Sequence, residues 1–349
     1  MADSSSQPLQ TVSDLGEEQI IRRFAGAGPD LPRGITGIGD DCAVTEGFGG
    51  QKQLIGTDLL IEGIHFRSEW TSYRDLGHKA LAVNLSDIAA MGGRPENFFL
   101  SLALPASMPV DRLDGFREGL MELARKYEVP LLGGDTTRSP GAFMISVMIT
   151  GRADPEHLKL RSGARDGDIL CVTGPLGDSA AALSILEDPQ KYSRVPEDHR
   201  SELLQWHFRP EPAVRQGRWL GEQPAVHAMI DLSDGLLSDA RHLAEQSGCR
   251  ITIALDQLPL SGDFKAFGKI GRTAEQLREL AAAGGEDYHL LMTVSQAQYS
   301  AVARQFEQRF GGVLHVVGTV ESGSSEVRTL RNGSPVEIQQ HHFQHFNRP

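Results

Sequence analysis

Apolar residues recur along the chain with two spacings. Between residues 73 and 91, Leu76, Ala80, Val83, Asp87 and Ala90 fall at three- and four-residue steps, which predicts one long helix ended by Gly92 and Gly93. That helix carries Asn84 and Asp87 on one face. The same spacing predicts an amphipathic helix over residues 112–127, a short one over 17–24 and another over 236–246. Short apolar runs predict strands at 53–57, 98–104, 143–151, 169–173, 229–232, 250–255 and 288–293, with one more just after Asp41. Gly174 and Gly177 make a turn, and Asp178 caps the alanine-rich helix that follows.

Residues 1–13 are small and polar, the pattern of a disordered lead. Residues 152–168, rich in Gly, Pro, Asp and Arg, read as a linker. A chain of 349 residues exceeds one ordinary hydrophobic core, so the expected division is an N-terminal domain over 14–152 and a C-terminal domain over 153–349. Strands and helices alternate in both halves, giving an α/β or α+β fold, with no internal repeat.

Charge narrows the partners. A formal net charge of −12 lacks the basic patches that nucleic acid or an anionic membrane surface would require. Cys42, Cys171 and Cys249 are odd in number and never spaced C-x-x-C, so neither a disulfide framework nor a zinc knuckle is expected, and a reducing cytoplasm fits best. There is no basic-then-apolar start and no window of eighteen consecutive apolar residues, which predicts a soluble protein that is not exported.

The chemistry lies in five short aspartate motifs: Gly39-Asp40-Asp41, Gly56-Thr57-Asp58, Asn84-Leu85-Ser86-Asp87, Gly133-Gly134-Asp135 and Asp231-Leu232-Ser233-Asp234-Gly235. Each alone is an ordinary turn or cap. Together they form a carboxylate set flanked by small residues, which suits a hard divalent cation such as magnesium and a phosphate approaching the backbone. Two phosphates carrying about two charges each, roughly 4 Å apart at an effective dielectric near 20, repel by on the order of 16 kcal/mol. Several bound cations could offset that, so phosphoryl transfer is the implied reaction. No G-x-x-x-x-G-K-[ST] loop, protein-kinase signature or G-x-G-x-x-G turn after a strand is present. The loop from Gly174 to Ser179 is the nearest thing to a phosphate loop and reads more simply as a strand-to-helix turn.

Read in order, the motifs Gly37-Ile38-Gly39-Asp40-Asp41-Cys42-Ala43, Thr57-Asp58, Glu62-Gly63-Ile64-His65-Phe66, Asn84-Leu85-Ser86-Asp87, Gly133-Gly134-Asp135, Arg161-Ser162-Gly163-Ala164, Arg209-Pro210-Glu211-Pro212, Asp231-Leu232-Ser233-Asp234-Gly235 and Gly284-Gly285-Glu286-Asp287-Tyr288 closely resemble the thiamine-monophosphate kinase family. The likeness runs from about Glu17 to the region of Phe346. That family belongs with aminoimidazole ribonucleotide synthetase and selenophosphate synthetase, whose members pair two α/β domains and dimerise through N-terminal strands that close into a barrel. The resemblance implies transfer of the ATP γ-phosphate to thiamine phosphate, giving thiamine diphosphate and ADP, by a homodimer with ATP as co-substrate and several magnesium ions. It implies Asp41, Thr57, Asp58, Asp87, Asp135, Asp231 and Asp234 as metal ligands, direct or through water. Gly134, Asp135, Arg161 and Ser233 would touch ATP, and His65, Glu286 and Phe343 would line the thiamine phosphate pocket. Catalysis would depend on Asp87, Asp135, Arg161 and Asp234. Gly56 stands where relatives can have Ser, so it would serve the metal only through its carbonyl. The histidines around Phe343 read as surface residues beside an aromatic pocket wall. The alternatives are a related ATP-dependent synthetase that activates an amide or carbonyl oxygen, and a non-catalytic nucleotide- or metal-binding protein.

Overall fold

A computed structural model describes Val12, residues 15–25, Ala27 and residues 29–338. The predicted lead, apart from Val12, and the Phe343 region lie outside the described residues. Helix α1 (Glu17–Phe24) precedes strands β1 (Ala43–Glu46) and β2 (Lys52–Ile61). Helix α2 (Tyr73–Ala90), strand β3 (Arg94–Pro105), helix α3 (Val110–Tyr127) and strands β4 (Leu131–Ser139) and β5 (Met144–Ala153) follow. These strands form one sheet in the order β1-β2-β5-β3-β4, antiparallel except for the parallel β3–β4 pair.

The pleat gives this sheet two unlike faces. On β5, Ile145, Val147 and Ile149 are buried, while Ser146, Met148 and Thr150 point the other way. The register aligns Asp58 with Val147 and Leu60 with Ile145, so Asp58 shares the inner face. Helix α2 starts where the Ser72 hydroxyl accepts from the Asp75 amide at 3.1 Å, a helix cap. It buries 14 of its 18 residues, as a helix packed on all sides must. Its contact with α3 is close because both meet at glycine: a Cβ on Gly119 would fall 1.8 Å from the Arg74 carbonyl oxygen, and one on Gly77 2.0 Å from that of Phe116.

The remainder of the chain alternates strands and helices. In order it gives β6 (Asp168–Val172), α4 (Asp178–Glu187), α5 (Glu197–Phe208), α6 (Val214–Gly221), β7 (Val226–Asp231), α7 (Leu236–Ser247), β8 (Cys249–Ala254), α8 (Gly262–Gly268), α9 (Ala274–Ala283), β9 (Leu290–Ser295), α10 (Tyr299–Phe310), β10 (His315–Ser322), β11 (Glu326–Arg331) and β12 (Ser334–Pro335). Its strands form a second sheet, β12-β11-β8-β10-β6-β9-β7. One face of this sheet, with Ile169, Cys171, Met229 and Met292, joins the same core as α2, α3 and the inner face of the first sheet. The other face, with Leu170, Val172 and Ile230, makes a second core with helices that include α4, α7 and α8. Helix α2 therefore lies between the two sheets.

Two sequence expectations change. The strand expected at 53–57 continues to Ile61, which puts Asp58 inside β2 rather than at its end. The segment expected to be a linker carries a single 3-10 turn, Arg161–Gly163, packed against α7 and β7.

Candidate active site

The placement of α2 decides where the carboxylates meet. Asp87 comes from the C-terminal half of α2, Asp231 from the end of β7 and Asp41 from the turn before β1; one oxygen from each lies within 4.8 Å of the others. The Ser86 hydroxyl donates to Asp231 Oδ2 at 2.6 Å, tying α2 to the second sheet at this point. Arg161 donates to Asp41 Oδ1 at 2.6 Å through Nη2, and its backbone amide donates to Asp40 Oδ2 at 3.2 Å. The Ser247 hydroxyl holds the Arg161 carbonyl at 2.7 Å, so the end of α7 fixes the turn. A residue of the supposed linker is thus built into the cluster.

Electrostatically the cluster is under-compensated. Burial, then repulsion from Asp41, pushes the Asp231 carboxyl up to about 8 despite the Ser86 bond and Arg161. Burial followed by the charges of Asp58, Asp231 and Asp41 raises Asp87 well above the usual carboxylate range. Burial, then Asp234, lifts Asp58 to about 6, and burial, then Asp41, lifts Asp40 to about 6. Asp41 Oδ2 is buried and has no hydrogen-bond partner among the described residues. One arginine does not neutralise this set, and an unpartnered buried carboxylate oxygen is costly unless a cation or proton meets it. An all-oxygen donor set of this kind fits magnesium.

A second cluster begins two turns earlier on the same helix. Lys79 Nζ, on a side chain only 6% exposed, lies 2.8 Å from Glu286 Oε1. His207 Nδ1, from α5, is 3.3 Å from Glu286 Oε2 and 2.8 Å from the Ser179 hydroxyl. Burial would raise the Glu286 carboxyl, but Lys79, then His207 and His65, bring it below its usual range. Burial and Lys79 lower His207 to about 4, so it is neutral at physiological pH. His65 sits in the turn after β2, where its Nδ1 accepts from the Ile61 amide at 3.0 Å. Two residues expected in one pocket, His65 and Glu286, are close enough for their charges to interact.

The loop bearing Glu286 is clamped to the loop bearing Asp231 and Asp234. The Glu286 amide donates to the Ser233 carbonyl at 2.8 Å and the Tyr288 amide to that of Leu232 at 2.9 Å. Glu286 and Tyr288 have φ of 65° and 50°, left-handed values that non-glycine residues rarely adopt. Between them, Asp287 accepts from the Gly177 amide at 3.1 and 3.0 Å. A carboxylate therefore already occupies the start of α4, and the Gly174-to-Ser179 loop is a strand-to-helix turn.

Not every expected residue joins the cluster. Strand alternation turns Thr57 to the outer face, where its hydroxyl donates to the Val147 carbonyl at 3.0 Å. Asp135 aligns with Ser101, Ser101 with Ser146 and Ser146 with Leu59, so it is exposed on that same outer face. Gly134, its neighbour, allows β4 to lie against β3, since a Cβ there would fall 1.7 Å from the Leu100 carbonyl oxygen. A single chain therefore does not form the one cage expected from all seven ligands. Asp234 is exposed near Asp58, and Ser233 is half-buried in the same loop. Gly56 is buried on the inner face, and a Cβ there would stand 3.2 Å from Cys42 Sγ and 3.3 Å from Asp87 Oδ2. A side chain at this position would point at the cluster.

Sequence reading did not single out Lys79, Ser86, His207 or Asp239. Asp239 is buried and accepts from the Gly235 amide at 3.0 Å, which fixes the loop between Asp231 and α7. Its signal was Asp in the first turn of a helix. Lys79 stood only at the head of the 79–92 block that resembles the family, and His207 gave no signal, because the helix that carries it was not predicted.

Two sheets share a central helix with a carboxylate set where they meet, and the chain so built belongs to the class of AIR synthase-related α/β proteins. The AIR synthase-related N-terminal domain matches residues 39–153, and the corresponding C-terminal domain matches residues 165–331. Within that class the chain belongs to the thiamine-monophosphate kinase family. It is 38% identical over 316 residues to thiamine-monophosphate kinase of Salmonella typhimurium, covering 90% of this chain and 93% of the relative. It is 33% identical over 312 residues to the Bacillus subtilis enzyme, covering 89% and 93%. A solved structure of AaThiL complexed with AMPPCP and TMP superposes with a TM-score of 0.81 at 31% identity, covering 97% of this chain and 100% of that one.

Proposed function

We propose that this protein transfers the γ-phosphate of ATP to thiamine phosphate with the help of several magnesium ions, giving ADP and thiamine diphosphate. The observation that carries the reading is the Asp41–Asp87–Asp231 cluster with its buried, unpartnered Asp41 oxygen, set beside a second cluster containing Glu286 and His65. Family membership supplies the nucleotide and the acceptor, since the relatives are kinases of thiamine phosphate and one binds an ATP analogue. Asp41, Asp58, Asp87, Asp231 and Asp234 would hold the cations. Magnesium would neutralise charge on donor and acceptor phosphates.

The chain's own groups do the rest. Arg161, fixed by Asp41 and Ser247, would meet a nucleotide phosphate. His65 and Glu286 orient the acceptor. An acceptor phosphate already carries an anionic oxygen near neutral pH, its second pKa being about 6, so no side chain need remove a proton. That oxygen attacks the γ-phosphorus as the bond to ADP breaks, in line and without a phosphoenzyme.

The outer face of the first sheet supports homodimerisation. Leu59 and Met148 are 50% and 37% exposed on it, and two such faces packed together would cover them. Thr57, Gly134 and Asp135 would then act across the dimer rather than within one chain. The residue ranges 14–152 and 153–349 are proposed as its domains. Among the described residues no helix is long and apolar enough to cross a membrane, and all three cysteines are unpaired, which supports a cytoplasmic setting. Incubation with ATP, magnesium and thiamine phosphate should yield ADP and thiamine diphosphate in equal amounts. ADP without thiamine diphosphate would overturn the acceptor assignment.

A further inference from the structure

The deep position of Lys79 has no part in the reaction as set out above, and it needs a reason: a lysine side chain 6% exposed in the middle of a helix is costly unless it is paired. Its partner, Glu286, is held in a left-handed backbone conformation by the Ser233 carbonyl, and His207 Nδ1 lies 3.3 Å from its other carboxylate oxygen. Backbone strain of this kind persists only where surrounding contacts over-determine it.

Helix geometry adds the second observation. Residues 79, 83 and 87 are successive steps of four along one face of α2, and eight residues of helix span about 12 Å. One rigid helix therefore sets Lys79, with the Glu286 pocket, at a fixed distance from Asp87 and the carboxylate cluster.

We propose that Lys79 is a positioning residue that fixes the Glu286 carboxylate as an acceptor for the nitrogen-bearing, cationic end of the substrate, while Asp87 marks where its phosphate end lies. Lys79 lies 2.8 Å from one carboxylate oxygen and the neutral His207 3.3 Å from the other, and the carboxylate so held would accept an N–H of an aminopyrimidine beside a positive thiazolium ring. An extended acceptor with a cationic ring system at one end and a phosphate at the other matches this arrangement. A free phosphate, or an acceptor without the ring system, does not use the Lys79 end. The proposal rests on the acceptor assigned above.

Steady-state kinetics of Lys79→Met, Lys79→Arg, Glu286→Gln and the Lys79→Met/Glu286→Gln double variant test it, with thiamine phosphate and ATP varied separately. Lys79→Met should raise KM for thiamine phosphate about 10- to 100-fold, the range of a lost charge-assisted bond, with KM for ATP and the magnesium midpoint unchanged. Lys79→Arg should recover part of that loss. The double variant should be no worse than Glu286→Gln, because Lys79 acts through Glu286. Wild-type KM in Lys79→Met, equal increases in both KM values, or additive losses in the double variant would overturn the proposal. Absence of thiamine diphosphate from the wild-type protein would instead overturn the acceptor assignment.

Discussion

Replacing Asp231 with Asn should stabilise the metal-free protein and at the same time weaken its response to magnesium. Asp231 is 2% exposed, and its carboxyl titrates at about 8 against an ordinary value of 3.8. A folded-state pKa raised in this way means that the native protein holds a proton the unfolded chain releases, so stability falls as pH rises from about 4 to about 8. At 1.36 kcal/mol per pKa unit, the loss is about 2 kcal/mol by pH 5 and about 5 kcal/mol by pH 8. Coulomb's law gives a comparable figure: two unit charges at the cluster's 4.8 Å limit repel by roughly 3.5 kcal/mol at an effective dielectric near 20. Asparagine removes the charge and still offers Ser86 an oxygen to donate to. At roughly 2 °C per kcal/mol for a chain of this size, the variant should melt about 10 °C above wild type at pH 8 and about 4 °C above it at pH 5, both in EDTA. Differential scanning fluorimetry with and without magnesium reads both effects. Wild type should gain stability with magnesium, most strongly at pH 8, and the variant should gain clearly less. A variant that melts lower than wild type in EDTA at pH 8, or that keeps the wild-type magnesium shift, would refute the electrostatic account.

Three other outcomes follow from the geometry. Magnesium affinity measured by calorimetry should rise by about tenfold or more between pH 6 and pH 8, because Asp231 at about 8 and Asp58 at about 6 must lose protons to bind a cation; a flat profile would count against both as ligands. Gly134→Ala should lower stability by about 3 kcal/mol in urea titration, since its Cβ would collide with the Leu100 carbonyl 1.7 Å away. Gly56→Ser should cost about 1 kcal/mol and shift the magnesium midpoint, with Cys42→Ala restoring stability by removing the sulfur 3.2 Å from the new Cβ.

The site was legible where chemistry and local pattern coincide. Asp41, Asp87 and Asp231 stand in motifs of small residues, and the spacing over residues 73–91 gave α2, so the elements bearing these groups could be read directly. Thr57 and Asp58 show the limit. Neighbours in a strand face opposite ways, and only register against β5 tells which of them points inward. Asp135 is subject to the same parity. Helix α5 was illegible for another reason: it buries only Leu203 and His207, too few for a periodic stripe. Lys79 was assigned no role, because the partner that allows its burial lies more than two hundred positions away.

The arrangement on α2 also governs which changes of length the protein can tolerate. Inserting or deleting one residue between Lys79 and Asp87 would rotate one group by about 100° relative to the other and move it about 1.5 Å along the axis. No adjustment of neighbouring side chains could restore both. The exposed turn between β10 and β11, residues 323–325, is free to lengthen, whereas this eight-residue interval has to keep its count in any descendant that retains both ends of the site.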